Sequence, residues 1–325
     1  MAPSFLSLVS LYSYYLRRCF TAAGLFSHTL KITDETTLHY WGPKSHLVET
    51  NPKKPTLVLI HGFGPAAMWQ WRKQVQFFSP HFHVYVPDLV FFGDSATDSG
   101  ERSEVFQASS VLKLLENIGV KKFSVVGTSY GGFVAYHMAR MSPEKVEKVV
   151  IASSGVNMKR SDNEDLVRRA RLERIEHLML PESASQLRAL TGLAVYKKLD
   201  IVPDFFLNDV VAQLYRENRK EKMELLKGMT LGQDDQVNLT PLQQDVLIVW
   251  GTQDQIFPLK MATELKGLLG EKTRLEVIEK TSHVPQIENP ARLSTTLIIL
   301  SVQLGYIMHQ HYRSELKTHV TPGGS

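Results

Sequence analysis

One serine of the chain has a glycine two positions before it and another two positions after it, in the stretch Gly127-Thr128-Ser129-Tyr130-Gly131. An apolar, β-branched run precedes this stretch and an apolar helical pattern follows it, so Ser129 is expected on a strand-to-helix turn. A nucleophile on such a turn needs small neighbours, because the backbone is tightly bent there. The alternative is a glycine-rich turn whose serine only caps the helix. The pattern favours a nucleophilic Ser129.

A serine hydroxyl becomes a good nucleophile only when a base takes its proton. His283, in EKTSHVPQIENP, follows the last predicted strand and is the candidate base. Asp254, in VLIVWGTQDQIFP, follows another predicted strand and is the candidate carboxylate that orients the imidazole. Asp88, in VYVPDLVFFGDS, is the competing carboxylate. Because Asp88 precedes the serine in the chain, we interpret it as a structural residue that holds a loop.

Attack of a serine on a carbonyl carbon places negative charge on oxygen, and fixed donors must stabilise that charge. The predicted strand TLVLIHG ends in His61-Gly62-Phe63-Gly64, where the glycines let the backbone approach a substrate closely. The backbone N–H groups of Phe63 and Tyr130 are the candidate donors. His61 is interpreted as a hydrogen-bonded core histidine that orients this turn. Together these residues indicate acyl transfer.

The candidate residues need a scaffold, and the chain alternates apolar, β-branched runs with helical patterns. LKITDETTLHYWG predicts an opening pair of strands, and six further runs predict short buried strands: TLVLIHG, HVYVPDL, FSVVGTS, KVVIASSG, VLIVWGT and RLEVIEK. This alternation is typical of an α/β fold with a mostly parallel central sheet and helices on both faces. Residues that do chemistry lie at the carboxyl ends of strands in such sheets.

The alternation stops between residues 156 and 235, where the sequence is charged and helical, most clearly in LVRRARLERIEHLML. We interpret this segment as a helical cap inserted into one core, which residues 27–155 and 236–312 would form. The late apolar run LIILSVQLGYIM is too short to span a bilayer and predicts a core helix. The tail, residues 313–325, is expected to be disordered.

The sequence pattern of residues 1–26 predicts an N-terminal amphipathic helix. Arg17 and Arg18 follow its apolar run, whereas a signal peptide carries its positive charge before the run. We expect the apolar side mainly to pack on its own domain, with only a weak, reversible contact to a membrane surface. A cytoplasmic protein that can lie peripherally on a membrane is therefore the expectation. The residues assigned to the apolar side are Leu8, Leu11, Tyr12, Tyr15 and Cys19.

The composition excludes some classes of binding partner. The net charge is +4, from 37 basic and 33 acidic residues, and the two signs are interspersed. Nucleic-acid binding requires a clustered basic face, so no nucleic-acid partner is expected. A single cysteine, Cys19, excludes an internal disulfide framework and a multi-cysteine metal site. We expect a monomer with no metal and no organic cofactor.

Five motifs, HGFG, PDLVFFGDS, GTSYGG, GTQD and SHVPQIENP, occur in the order found in the α/β-hydrolase superfamily, which the chain resembles from about residue 30 to residue 308. The stretches FFGDSAT and PDFFLNDV look most like plant members described as monoacylglycerol-lipase-like or esterase-like. The resemblance implies a Ser129–His283–Asp254 triad under a helical cap. A serine at position 129 speaks against the epoxide-hydrolase and dehalogenase branches, which use aspartate there. The chain departs from the pattern at Ser282, where many relatives have glycine.

The resemblance implies a serine esterase or lipase that hydrolyses a carboxylic ester of a small lipophilic substrate through an acyl-enzyme. An acylglycerol or an ester of a specialised metabolite would fit. The alternatives are a hormone-receptor-like protein with an intact triad and little turnover, and a lyase on the same scaffold. Aromatic side chains of the cap and of the core loops are expected to line the pocket, namely Trp69, Phe91, Phe92, Tyr196, Phe205 and Phe206.

Overall fold

A central sheet organises the molecule. The computed structural model describes residues 7–45, 54–197 and 201–302. The strands of this part of the chain are β1 Leu25–Lys31, β2 Thr36–Pro43, β3 Thr56–Ile60, β4 His83–Pro87, β5 Ala96–Thr97, β6 Phe123–Thr128, β7 Val146–Ala152, β8 Asp245–Gly251 and β9 Thr273–Ile278. Their order in the sheet is β1-β2-β4-β3-β6-β7-β8-β9, and the short β5 pairs with β2. From β4 to β9 all neighbours are parallel, whereas β2 pairs antiparallel with β1, β4 and β5.

The helices of the described residues are α1 Leu8–Ala22, α2 Ala67–Phe78, α3 Glu104–Asn117, α4 Tyr130–Met141, α5 Arg160–Ala170, α6 Ile175–Met179, α7 Ala184–Ala194, α8 Asp204–Leu214, α9 Arg219–Lys227, α10 Leu259–Leu269, α11 Pro285–Glu288 and α12 Pro290–Val302. One face of the sheet packs against α3, α4 and α10, and the other against α1, α2 and α12. Both faces are therefore covered, which explains why central strands such as β3 are buried along their whole length. The predicted α/β fold with a mostly parallel sheet is confirmed.

Helices α5 to α9 lie between β7 and β8, in the segment interpreted as the cap. They form two small apolar clusters, one around Leu178 and Leu193, which also includes Ile256 of the loop after β8, and another around Leu187 and Leu207. The run LVRRARLERIEHLML forms two helices, because Arg171 adopts the left-handed conformation with φ 53° and ends α5. The exact limits proposed for the cap and the core segments stay predictions.

The N-terminal helix corrects one expectation. Its buried side chains are Val9, Leu16, Cys19 and Phe20, and the Phe20 ring lies 5.1 Å from that of Trp41. The residues assigned to the packing side are exposed, except Cys19: Leu8, Leu11, Tyr12 and Tyr15. Apolar residues occur nearly all round this helix, so its sequence pattern does not decide which side meets the core.

The last described helix, α12, contributes Leu293, Leu297 and Ile298 to the core. Its end, Val302, falls inside the apolar run LIILSVQLGYIM, and the rest of that run lies outside the described residues, as does the tail predicted for 313–325. In the part of the chain that the structure describes, no helix has the length and apolar character needed to cross a membrane.

Candidate active site

The turn that carries Ser129 connects β6 to α4, as its sequence predicts. Ser129 has φ 50° and ψ −122°, a strained conformation for a residue with a side chain. A Cβ atom at Gly127 would overlap the carbonyl of Gly131, and one at Gly131 would overlap the carbonyl of Ile60. Both flanking positions must therefore be glycine. The Ser129 hydroxyl makes no capping hydrogen bond to α4, so helix capping does not explain this serine.

Three of the sequence-predicted residues meet at the carboxyl edge of the sheet. The Ser129 Oγ atom lies 2.9 Å from Nε2 of His283. On the other side of the ring, Nδ1 of His283 lies 3.0 Å from Oδ2 of Asp254. The His283 and Asp254 side chains are almost completely buried. In this arrangement Nδ1–H donates to the carboxylate, which leaves Nε2 free to accept the serine proton.

Asp254 is itself held by the backbone. Its Oδ1 atom accepts hydrogen bonds of 2.9 Å from the N–H groups of both Ile256 and Phe257. The Phe257 ring in turn lies 5.5 Å from the His283 ring, edge to face. The carboxylate and the imidazole are therefore fixed by independent contacts before any substrate arrives.

The competing carboxylate, Asp88, has other partners. Its Oδ2 atom lies 2.7 Å from Nδ1 of the buried His39, and its Oδ1 atom accepts a 2.7 Å hydrogen bond from the N–H of Ala67. Asp88 thus connects β2 to the first residue of α2. This geometry agrees with its interpretation as a structural residue.

The two expected donor groups border Ser129. A Cβ atom at Gly62 would stand 3.0 Å from the Cβ of Ser129, so the next residue, Phe63, lies beside the nucleophile. Tyr130 is the first residue of α4, and such an N–H has no carbonyl partner within the helix. Gln70 fixes the turn, because its side chain accepts from the Gly62 N–H at 2.9 Å and donates to the Gly62 carbonyl at 3.1 Å.

His61 supports the same turn. The N–H of Leu89 donates to Nε2 of His61 at 3.0 Å, so Nδ1 carries the proton and donates to the Gly62 carbonyl at 2.8 Å. Burial lowers the pKa of His61, which favours this neutral form. With both ring nitrogens engaged, His61 is a structural residue of the turn, as expected.

A cavity of about 70 Å³ opens beside Ser129. Its walls come from the core and from the cap, and none of the residues around it carries a charge. They are Phe63, Ser129, Tyr130, Phe133, Met158, Asn163, Leu166, Ile175, Met179, Leu226, Met229, Gln233, Ile256 and Phe257. Methionine side chains are flexible and adapt to different shapes, so this wall can accommodate more than one apolar group.

The six aromatic residues expected in the pocket are not among those that line this cavity. Trp69 lines a separate cavity of about 180 Å³ beneath α1. Phe91 and Phe92 are buried in the core, where Arg102 lies 4.6 Å over the Phe91 ring and Phe92 packs against His61.

The three aromatic residues of the cap also lie elsewhere. Tyr196 and Phe205 are 44% and 72% exposed, and Phe206 packs among residues of the cap. The orientation of α8 about its own axis decides which of its side chains face inward. That orientation depends on the packing of the cap helices on one another, which aromatic content does not reveal.

Sequence reasoning missed one residue that contacts the imidazole. Phe257 packs on His283 and borders the cavity, and its position three residues after Asp254 was the available clue. Ser282, which stands where many relatives have glycine, makes two contacts in the structure. Its hydroxyl oxygen lies 2.9 Å from the Gln253 carbonyl and 3.1 Å from the Leu193 carbonyl. Ser282 thus connects the loop of His283 to the loop of Asp254 and to the cap.

Among the described residues, no group of three or more His, Cys, Asp or Glu side chains could hold a metal ion.

Comparison with known proteins gives relatives with named activities. The chain is 26% identical over 263 residues to a 2-hydroxy-6-oxononadienedioate/2-hydroxy-6-oxononatrienedioate hydrolase of Paraburkholderia phymatum, covering 78% of this chain and 89% of the relative. It is 25% identical over 234 residues to a pimeloyl-[acyl-carrier protein] methyl ester esterase of Vibrio campbellii, covering 71% and 88%. These relatives are bacterial.

Solved structures show the same fold. The solved structure of 2-hydroxy-6-oxo-6-phenylhexa-2,4-dienoate hydrolase from Rhodococcus sp. strain RHA1 superposes with a TM-score of 0.68 at 23% identity, covering 84% of this chain and 97% of that one. Residues 55–290 match the family described as "alpha/beta hydrolase fold". That match covers most of the chain and includes Ser129, Asp254 and His283, and the chain therefore belongs to the α/β-hydrolase fold family.

Proposed function

We propose that the protein is a serine hydrolase that cleaves a carboxylic ester of a small lipophilic substrate through an acyl-enzyme. The observation that carries the proposal is the hydrogen-bonded series Ser129–His283–Asp254 on a strained strand-to-helix turn. A serine with only a structural role does not require this backbone strain, a buried imidazole and a buried carboxylate together.

The first half of the reaction forms the acyl-enzyme. As Ser129 Oγ attacks the ester carbonyl, Nε2 of His283 takes its proton, and Asp254 stabilises the resulting imidazolium. The backbone N–H groups of Phe63 and Tyr130 stabilise the negative charge on the carbonyl oxygen. His283 then donates the proton to the leaving alkoxide, and the alcohol departs.

The second half repeats these roles with water. His283 removes a proton from a water molecule, which attacks the acyl carbon, and the tetrahedral intermediate collapses with return of the proton to Ser129 Oγ. The products are a carboxylic acid and an alcohol. Apart from the ester and water, every step uses groups of the chain, so the proposed reaction includes no cofactor.

The size of the cavity limits the acyl group. A water molecule needs roughly 10–15 Å³ of such space, so about 70 Å³ accommodates only a handful of non-hydrogen atoms. Short acyl chains therefore fit the site as it stands. A long chain, such as that of a typical acylglycerol, requires the cap to move. Among lipophilic esters, the proposal favours those with a short acyl group.

The uncharged lining of the cavity favours ester cleavage over the activity named for the Paraburkholderia relative. A 2-hydroxy-6-oxononadienedioate carries two carboxylates, and burying such charges without cationic partners is costly. No lysine or arginine is among the residues that line the cavity. A neutral ester fits this lining better, in keeping with the methyl ester activity named for the Vibrio relative. From the stretches FFGDSAT and PDFFLNDV, the proposal also includes a relationship to plant esterase-like members of the family.

The test combines a serine variant with a substrate series. We expect the wild-type protein to turn over p-nitrophenyl butyrate many times and the palmitate ester more slowly. Ser129→Ala should lower kcat roughly a million-fold, because a triad acts as a unit. A fluorophosphonate should label the wild type and not the variant.

Two outcomes would count against the proposal. Equal labelling of Ser129→Ala would remove Ser129 as the nucleophile. Stoichiometric labelling of the wild type with at most one turnover of every ester would favour the receptor-like alternative.

A further inference from the structure

The outer surface of α1 carries an unusual group of exposed side chains. Leu8 is 55% exposed and Leu11 is 64% exposed, and three tyrosines beside them are also open to solvent. At 3.6 residues per turn, all five fall within an arc of roughly 160°. The opposite side of the helix packs on the core through Leu16 and Phe20. We call the exposed set the α1 face; it comprises Leu8, Leu11, Tyr12, Tyr14 and Tyr15.

Cations lie beside the tyrosines of the α1 face. Helix α1 contains Arg17 and Arg18 and no acidic residue, and the neighbouring α2 contains Arg72 and Lys73 and no acidic residue. The Arg18 guanidinium donates to the Tyr14 hydroxyl at 3.4 Å, and the Arg72 guanidinium donates to the Tyr15 hydroxyl at 3.3 Å. Within the described residues, these four cations form no ion pair with a carboxylate. Arg17 also borders the cavity beneath α1, together with Asp94 and Glu217, so Arg18, Arg72 and Lys73 are the cations that lie beside the α1 face.

The cap extends the apolar surface. The Ser7 hydroxyl, next to Leu8, donates a 2.7 Å hydrogen bond to Asp209 of α8. Phe205 lies four residues before Asp209, on the same side of α8 and one turn away. Phe205 is 72% exposed. The start of the α1 face and the start of α8 thus present apolar side chains next to each other.

We propose that the α1 face and Phe205 dock the protein on the surface of an anionic phospholipid bilayer. Leucine and tyrosine side chains enter the boundary between head groups and acyl chains, while arginine and lysine contact lipid phosphates. Exposed tyrosines and leucines beside cations that form no ion pair are the chemistry that such an interface recognises. The proposal concerns binding alone and does not depend on the catalytic role of Ser129.

A second copy of the chain is the competing occupant. In a two-fold dimer the same patch meets itself, so Arg18, Arg72 and Lys73 of one copy would approach those of the other. Like charges brought together without acidic partners oppose association. An anionic bilayer has the complementary sign, and the charge pattern therefore favours the bilayer.

The test is sedimentation of the full-length protein with vesicles of equal amounts of phosphatidylcholine and phosphatidylserine. Leu8→Ser/Leu11→Ser should lower the partition coefficient at least tenfold, because both side chains lose their apolar contact with the interface. Arg18→Gln should lower it about fivefold, the effect of roughly 1 kcal/mol per cation near an anionic surface. Met141→Ser is the matched control. Met141 is also exposed, but it ends α4 on the opposite face of the sheet, so its replacement should leave partitioning unchanged.

Further outcomes separate the competing explanations. Ser129→Ala should bind vesicles as the wild type does, whether or not the chain is a hydrolase. The proposal is overturned if the wild-type protein stays in the supernatant, or if Met141→Ser weakens binding as much as Leu8→Ser/Leu11→Ser. Equal binding to pure phosphatidylcholine, unaffected by Arg18→Gln, would overturn the anionic preference. Concentration-dependent dimerisation that Leu8→Ser/Leu11→Ser abolishes, without vesicle binding, would assign the α1 face to a second copy.

Discussion

Two aspartates compete for one role at the residue scale, and their partners separate them. Asp254 and Asp88 both follow a strand and both are buried. Asp254 contacts His283 at 3.0 Å, whereas Asp88 contacts His39 at 2.7 Å. Chain order alone predicted this division, since the acid of such a triad follows the serine. The two residues therefore allow a matched comparison of chemistry and stability.

The first residue-scale prediction is that Asp254→Asn leaves a folded protein whose kcat for p-nitrophenyl butyrate is lower by roughly ten thousand-fold. The amide would favour the wrong tautomer of His283. Asp88→Asn should instead lower the melting temperature, because the buried contacts with His39 and Ala67 lose a charged acceptor. Steady-state kinetics and thermal denaturation of both variants provide the check. A folded but inactive Asp88→Asn beside an active Asp254→Asn would reverse the two roles.

The sequence predicted the three residues that meet at Ser129 but not those that line the neighbouring cavity, for a physical reason. Each triad residue lies at the end of a strand, and strand ends are placed by the sheet. The cavity walls include Met158, Met179 and Met229, which are ordinary apolar residues in the sequence. Only the packing of the cap decides that they face Ser129, while Phe205 faces solvent. Aromatic content was therefore a poor guide to the lining of this cavity.

At the element scale, the loop that carries His283 is connected to the cap. The backbone N–H of His283 donates to the Ala194 carbonyl at 3.1 Å, at the end of α7. One carboxylate oxygen of Glu288 accepts from the Ser282 N–H at 2.7 Å, and the other accepts from the Tyr196 N–H at 2.6 Å. The position of the cap and the position of the imidazole are therefore mechanically linked.

Glu288→Ala should lower kcat/KM roughly a hundredfold, because it frees both N–H groups and lets the His283 loop shift by an amount on the order of 1 Å. Glu279→Ala, which removes an exposed carboxylate just before the same loop, is the control and should change little. The rate of fluorophosphonate labelling at low temperature should fall in parallel with kcat/KM. A variant that merely unfolds more easily would keep the normal labelling rate in its folded fraction, and that result would contradict a positioning role.

A second link between core and cap depends on a charge. The carboxylate of Glu104, fully buried on α3, accepts hydrogen bonds from the N–H groups of Thr230 and Leu231 and a 2.6 Å bond from the Thr230 hydroxyl. Burial alone would raise the pKa of Glu104, but the His137 imidazole, whose Nε2 lies 3.5 Å from the carboxylate, and the hydrogen bonds from Thr230 outweigh it, and the pKa lies below the ordinary value. Glu104 thus holds the segment after α9 next to Met229, which lines the cavity.

Because the pKa of Glu104 is lower in the folded protein, its stabilising effect is complete above the ordinary value of about 4.5 and is lost as the pH falls through the folded value. Glu104→Gln should therefore cost about 2 kcal/mol at neutral pH. The difference in melting temperature between the wild type and Glu104→Gln should become smaller at pH values below about 4.5. Glu116→Gln, an exposed glutamate on the same helix, should have no measurable effect. If this difference did not change with pH, the charge of Glu104 would not be the cause of the lost stability.

At the scale of the whole molecule, the sheet was far easier to predict than the placement of α1. Strands buried on both faces read as continuous apolar runs, so their number and order of appearance follow from the sequence. The amphipathic helix expected within residues 1–26 is present as Leu8–Ala22, but a wheel with apolar residues on most sides fits two opposite orientations. The contact of Phe20 with Trp41 of β2 brings together residues that are adjacent only in the folded protein.

Two leucines on the same helix test this orientation. Leu16 is completely buried and Leu11 is 64% exposed, so the same substitution should have different effects. Leu16→Ala should cost about 3 kcal/mol, because it leaves a cavity between α1 and the core, and should lower the melting temperature by roughly 5–10 °C. Leu11→Ala should stay within about 0.5 kcal/mol of the wild type. Equal losses from both variants, or a larger loss from Leu11→Ala in thermal denaturation, would show that α1 packs through the face expected from its sequence.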